Sequence, residues 1–152
     1  VVLTPSALEV VVTDAAGQTA DRKRMALDAI AVEDAWKSNL AALDSALVSL
    51  LRTLDVPRKA HADVVYLGPD EAVEAREFEA SAPKVRELAE AKLLHELPYA
   101  REQAVSATRR LPCNALRQQA LVLGVADRDE HVNALFSWLR RAGLEPVGAV
   151  PL

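Results

Sequence analysis

The sequence predicts an α/β (α+β) protein built as two consecutive modules, and three observations predict it. Its 152 residues are 51% hydrophobic but only 4% aromatic. Ala, Val and Leu supply most of that apolar fraction, which suits close packing of helices on sheets and argues against disorder. Apolar spacing then switches along the chain between every second residue and every third or fourth, the marks of strand and helix. Finally, residues 121–152 read strand, helix, strand with clear punctuation at each junction.

The first module is residues 1–70. Val1–Thr4 and Ala7–Thr13 are β-rich and flank the turn signal Pro5-Ser6. Ala15-Ala16-Gly17-Gln18 is the next turn, and Lys23–Ile30 is expected as the third strand of an antiparallel meander. Asp34 is placed to cap one long helix. Along it Trp36, Leu40, Leu43, Leu47, Leu50, Leu51 and Leu54 recur at helical spacing until Pro57. Asp63–Leu67 follows as a buried strand, broken by Gly68-Pro69-Asp70.

The second module is residues 71–152. Ala72–Ala80 alternates as a strand. Ser81 precedes Pro83, a proline tolerated in a first helical turn, and a helix carrying Val85, Leu88, Ala89, Leu93 and Leu97 stops at Pro98. Gln103–Leu111 and Arg117–Ala126 read as paired strands around a Pro112-Cys113-Asn114 bend. Asp127, three residues before Glu130, forms a capping pair, and Val132, Leu135, Phe136 and Leu139 make an apolar stripe. Gly143 closes that helix in the left-handed region, with Leu144 folding back onto Leu139. Pro146–Val150 leaves as an extended segment. The order β-α-β-β-α-β is that of a ferredoxin-like subdomain.

Charge and cysteine usage exclude several functions. A net charge of −4 disfavours nucleic acid, whose binding depends on neutralising phosphates. The clusters Arg22-Lys23-Arg24, Arg58-Lys59, Arg109-Arg110 and Arg140-Arg141, most of them flanked by acidic residues, read as solvated surface. The single cysteine, Cys113, allows no internal disulfide and fits a reducing compartment. No apolar run approaches the ~18–20 residues that span a bilayer, so no direct membrane insertion is expected. A chain opening on Val and closing on a strand-like segment reads as a piece of something longer.

Reaction chemistry is not visible. His61, His95 and His131 fall in three different elements, and a metal site needs three or four convergent ligands; no metal residues are assigned. Cys113 has no histidine or helix N-terminus nearby to activate it. The five glycines are scattered, whereas a phosphate loop needs them close together. Glu77/Glu79 and Asp127/Asp129 suit a strand's solvent face and a helix start. No catalytic residue and no cofactor are therefore assigned.

Four stretches carry a resemblance: Val64-Val65-Tyr66-Leu67-Gly68-Pro69; Arg76-Glu77-Phe78-Glu79-Ala80 within Val73–Ala80; Leu97-Pro98-Tyr99 closing the helix from Glu90; and Ala142-Gly143-Leu144-Glu145-Pro146. Their order and spacing over about the final 90 residues resemble the amino-terminal part of the type IV pilus assembly protein PilM family, in the actin-like ATPase superfamily. The pattern is similar, more distantly, to the cytoplasmic domain of the type II secretion protein GspL. The first 60 residues agree in element order only. The resemblance implies a partial actin-like core subdomain (β-meander, helix, strand) in residues 1–70, beside an inserted ferredoxin-like subdomain in residues 71–152.

It further implies a cytoplasmic adaptor, peripheral at the inner membrane, that docks the cytoplasmic tail of a single-span membrane protein in the groove between the subdomains. Arg76, Phe78, Leu97, Pro98 and Tyr99 are the expected partner-binding residues, with core packing the competing role for Phe78, Leu97 and Tyr99. Self-association is left open. Where the family carries an Asp-x-Gly phosphate motif, this chain has Val2-Leu3-Thr4-Pro5-Ser6, without aspartate or glycine. ATP is thus expected, if anywhere, only with a fuller parent chain, as half of an ATP-binding actin-like ATPase. A ligand-sensing ferredoxin-like domain is the third reading.

Overall fold

Pro5 presets its own backbone for a turn, and Pro5-Ser6 duly joins β1 (Val2–Thr4) to β2 (Ala7–Thr13), with Thr4 opposite Ala7. Asp14 accepts from the Ala16 and Gln18 amides at 2.9 Å each, and Gly17 takes φ +76°, which closes the second turn. That tight closure starts β3 at Thr19 and ends it at Ala26, four residues earlier at each end than the predicted Lys23–Ile30. The computed structural model describes residues 1–79, 83–111 and 119–152; the predicted strand end at Ala80, Ser81, the Pro112-Cys113-Asn114 bend and the strand start at Arg117 lie outside them. Two units result: Val1–Pro69 with His131–Val150 and Leu152, and Asp70–Glu130 with Pro151.

The predicted long helix is two helices. Asp28, not Asp34, caps α1 (Ala29–Lys37), accepting from the Ile30 amide at 2.9 Å. Asp34 instead lies within α1, 3.2 Å from Lys37 Nζ on an exposed face. Asn39 and Leu40 then take φ of +53° and +64° before a single 3₁₀ turn and α2 (Asp44–Thr53). Left-handed backbone at a leucine costs roughly 1–3 kcal/mol. Leu40 is wholly buried in the core with Leu43, Leu47, Leu50 and Leu51, and burying a leucine returns about the same amount.

The first unit's sheet has strand order β3-β2-β1-β4-β8, with β4 at His61–Tyr66 and β8 at Glu145–Pro151. β1, β2 and β3 pair antiparallel, and β1 runs parallel to β4. α4 (Asp129–Arg141) lays Leu135, Trp138 and Leu139 into one cluster with Leu3, Leu8, Val64 and Tyr66. Its buried stripe is Ala134, Leu135, Trp138 and Leu139; the predicted Val132 and Phe136 are only half-buried, Phe136 beneath the Arg140 guanidinium. Gly143 (φ +89°) ends the helix as predicted, with the Leu144 amide on the Leu139 carbonyl at 3.0 Å and Leu144 itself buried. Asp127 lies one residue before the end of the strand that precedes α4, and its Oδ1 accepts from the Arg128 amide at 2.7 Å.

The second unit holds β5 (Ala72–Glu79), α3 (Val85–Glu96), β6 (Ala104–Leu111) and β7 (Gln119–Arg128). Its sheet is antiparallel, in the order β5-β7-β6. The α/β class stands, but the division at residue 70 and the ferredoxin-like reading of 71–152 need correction. Chain order is β-α-β-β-α-β as predicted, yet α4 and β8 belong to the first unit. The physical reason is twofold. The apolar stripe of α4 matches the large first core, and β8 satisfies the open edge of β4, with the Glu145 amide on Ala60 O at 2.9 Å and the Leu152 amide on Tyr66 O at 2.8 Å.

The second core is small: Val85, Ala89, Ala120 and Val122, with Phe78 packed against them. Gly124 makes close approach of α3 possible, since a Cβ there would stand 3.1 Å from Leu93 Cδ2 and 3.8 Å from Thr108 Cγ2. Gly124→Val is therefore expected to cost about 1–3 kcal/mol by overpacking, read as a lowered urea midpoint at unchanged slope.

Candidate functional site

Arg76 and Phe78 lie two apart on β5 and so share one face of the sheet, the face that α3 covers. The Arg76 Nη2 group binds Glu74 Oε1 at 2.6 Å and also Glu96 in the last turn of α3. Its Nε is buried without a hydrogen-bond partner among the described residues. Glu96 directly precedes Leu97-Pro98-Tyr99, so Arg76 and that tripeptide gather at the C-terminal end of α3. Pro98 is exposed; Leu97 and Tyr99 are half-buried. Phe78 is set apart, packed under α3 with Lys92 Nζ 5.5 Å from its ring centroid. Core packing accounts for Phe78.

Tyr99 is the centre of a polar knot that the sequence reading missed. The Arg128 guanidinium carbon stands 4.4 Å over its ring centroid, its Nε donates to Asp70 Oδ2 at 2.6 Å, and its Nη1 donates to Gln103 Oε1 at 3.2 Å. The Tyr99 hydroxyl donates weakly to the Asp70 carbonyl at 3.4 Å. Residues 29 and 58 positions apart are joined here, a separation that leaves no trace in local spacing. Partial burial raises the Tyr99 pKa above its usual 10.0, and the Asp127 and Asp70 charges add to the rise.

The sign of the pH dependence follows. Below about pH 10 the phenol is neutral in both folded and unfolded chains, and its contribution is complete. As pH rises through the folded value, the unfolded chain has already ionised and the contribution is lost. An NMR titration of ring-labelled tyrosine is expected to place the Tyr99 midpoint above 10.0.

The histidines stay apart: His61 is 3.9 Å from Glu145 on an exposed surface, the His131 ring meets Trp36 at 5.4 Å with the planes tilted by 59°, and His95 lies on α3. Among the described residues no three His, Cys, Asp or Glu side chains gather as a metal site, and no helix is long and apolar enough to cross a membrane. A cavity of about 620 Å³ in the first unit is lined mainly by apolar side chains such as Val2, Val10, Leu51 and Leu144, with His61 and Asp63 also on its wall.

These features define a class: an α/β protein resembling the actin-like PilM fold. The chain is similar to the structure described as the PilM-PilN type IV pilus biogenesis complex, at TM-score 0.72 and 22% identity, over 98% of this chain and 46% of that one. It is also similar to the cytoplasmic domain of EpsL, an inner membrane component of the type II secretion system of Vibrio cholerae. That match has a TM-score of 0.55 and 17% identity, over 99% of this chain and 55% of that one. The chain thus spans about half the length of each. No family model and no curated protein matches it. The resemblance read from four short stretches is matched by the fold of the whole chain.

Proposed function

We infer that this chain is a cytoplasmic adaptor, peripheral at the inner membrane, of a type IV pilus or type II secretion assembly platform. It docks the short cytoplasmic tail of a single-span membrane protein. The observation that carries this reading is the fold likeness over 98% of the chain to PilM from a complex with PilN. An extended tail gains affinity from backbone hydrogen bonds and selectivity from a few pockets. Arg76, Leu97, Pro98 and Tyr99, gathered at one end of α3, supply a charge, exposed apolar surface and an aromatic ring for such contacts.

One local feature favours an adaptor over half of an ATPase. In the β1–β2 hairpin the Thr4 hydroxyl donates to the Ala7 carbonyl at 3.2 Å, and the turn is Pro5-Ser6. A phosphate site at this hairpin needs a carboxylate for metal and glycine amides for phosphate, and these residues offer neither. The test is capture of the immobilised tail peptide by residues 1–152. Capture is expected, and it is expected to fall at least about tenfold in Arg76→Ala and Pro98→Ala, a loss of ~1.4 kcal/mol. No capture by the unaltered chain would overturn the reading.

A further inference from the structure

The sheet of the second unit has two unlike faces. One carries Phe78, Ala120 and Val122 and is covered by α3. Residues of the other parity face away from that helix, and they are largely apolar. Val73 and Val105 are 45% and 37% exposed, Leu121, Leu123 and Val125 are half-buried, and Ala75 is exposed. They stand in register: Val73 opposite Val125 opposite Ala107, then Ala75 opposite Leu123 opposite Arg109, then Glu77 opposite Leu121 opposite Leu111. A solvated sheet face ordinarily alternates to polar residues, and a continuous apolar strip of this kind marks an interaction surface.

The exposed charges on this face are sorted by strand, while Asp127, of the same parity on β7, is buried. The β5 edge contributes Glu77 and Glu79, and the β6 edge contributes Arg109. A two-fold axis along the central strand, in the plane between two stacked copies, carries each β5 onto the other copy's β6. The acidic edge of one copy then faces the basic edge of its partner, twice, while β7 faces β7 and Leu123 meets Leu123. A two-fold axis across the strands would set β5 on β5 and bring like charges together. A two-fold interface must be self-complementary, and this face is so about one axis only.

We propose that the α3-distal face of the β5-β7-β6 sheet is a self-association surface that takes a second copy of this chain, face to face. This goes beyond the docking of a membrane-protein tail and does not depend on it. Three strands ~4.8 Å apart and ~8 residues long at ~3.4 Å each offer about 400 Å² per copy. That is half the usual ~800 Å² per partner and falls in the size class of weak, transient encounters. Edge charges at such an interface set its geometry more than its strength.

Sedimentation of residues 1–152 from micromolar to millimolar concentration tests it. The expected result is a reversible monomer–dimer equilibrium. Arg109→Glu should weaken it by about tenfold or more, because the contact occurs twice. Adding Glu77→Lys and Glu79→Lys to Arg109→Glu should restore it. Val125→Glu, on an exposed-side position that leaves the α3 core untouched, should abolish it with the circular dichroism unchanged. A chain that stays monomeric to millimolar concentration overturns the proposal. So does a dimer indifferent to Arg109→Glu and Val125→Glu, and so does a monomer in which Val125→Glu instead abolishes capture of the tail peptide.

Discussion

A chain ended at Arg128 is expected to lose the cooperative folding of its first unit. That truncation removes α4 and β8, and with them Leu135, Trp138, Leu139 and Leu144 from the first core. Each buried large apolar side chain is worth about 2–5 kcal/mol, so four together exceed much of the 5–15 kcal/mol by which a domain is stable. Loss of β8 also leaves β4 with unpaired amides and carbonyls along a new sheet edge, an invitation to aggregation. Trp36 reports the outcome, because its ring lies 6.0 Å from Tyr66 and 5.4 Å from His131. Its fluorescence should shift to that of a solvated indole without denaturant. A cooperative urea transition retained by residues 1–128 would show that the last two elements are dispensable to the first unit.

Trp138→Ala is the next largest effect. Trp138 is the largest of the fully buried side chains described, and truncating a buried tryptophan costs about 3–5 kcal/mol. Trp138→Phe should cost far less, roughly 1–2 kcal/mol. Phenylalanine keeps most of the buried ring and removes Nε1, which has no hydrogen-bond partner in this core among the described residues. Urea unfolding of the two variants should separate them by at least about 1 kcal/mol. Equal losses would mean that the indole nitrogen is satisfied after all.

Much of the local structure was legible because its causes are local. Pro5-Ser6, Gly17 and Gly143 sit where backbone geometry requires them, and alternation marked β5 from Ala72. What failed has long-range causes. Asn39 tolerates the left-handed region, but with neither glycine nor proline beside it the helical spacing runs on through the break; burial of Leu40 in the core with the α2 leucines decides it. β8 could not be assigned to a sheet because strand pairing uses backbone groups that every residue shares. The deciding signal was Trp138, whose bulk suits the large core of the first unit and not the small Val85-Ala89-Ala120-Val122 core of the second. Of the expected site residues, Phe78 serves core packing beneath α3. Tyr99 gained partners in Asp70 and Arg128 that only the fold brings near.

The most direct measurement is a pair of calorimetric titrations of residues 1–152, one with the tail peptide of the single-span partner and one with Mg-ATP. A docking module predicts saturable heat with the peptide at micromolar affinity, and none with the nucleotide. Saturable Mg-ATP binding with no heat from the peptide would contradict it.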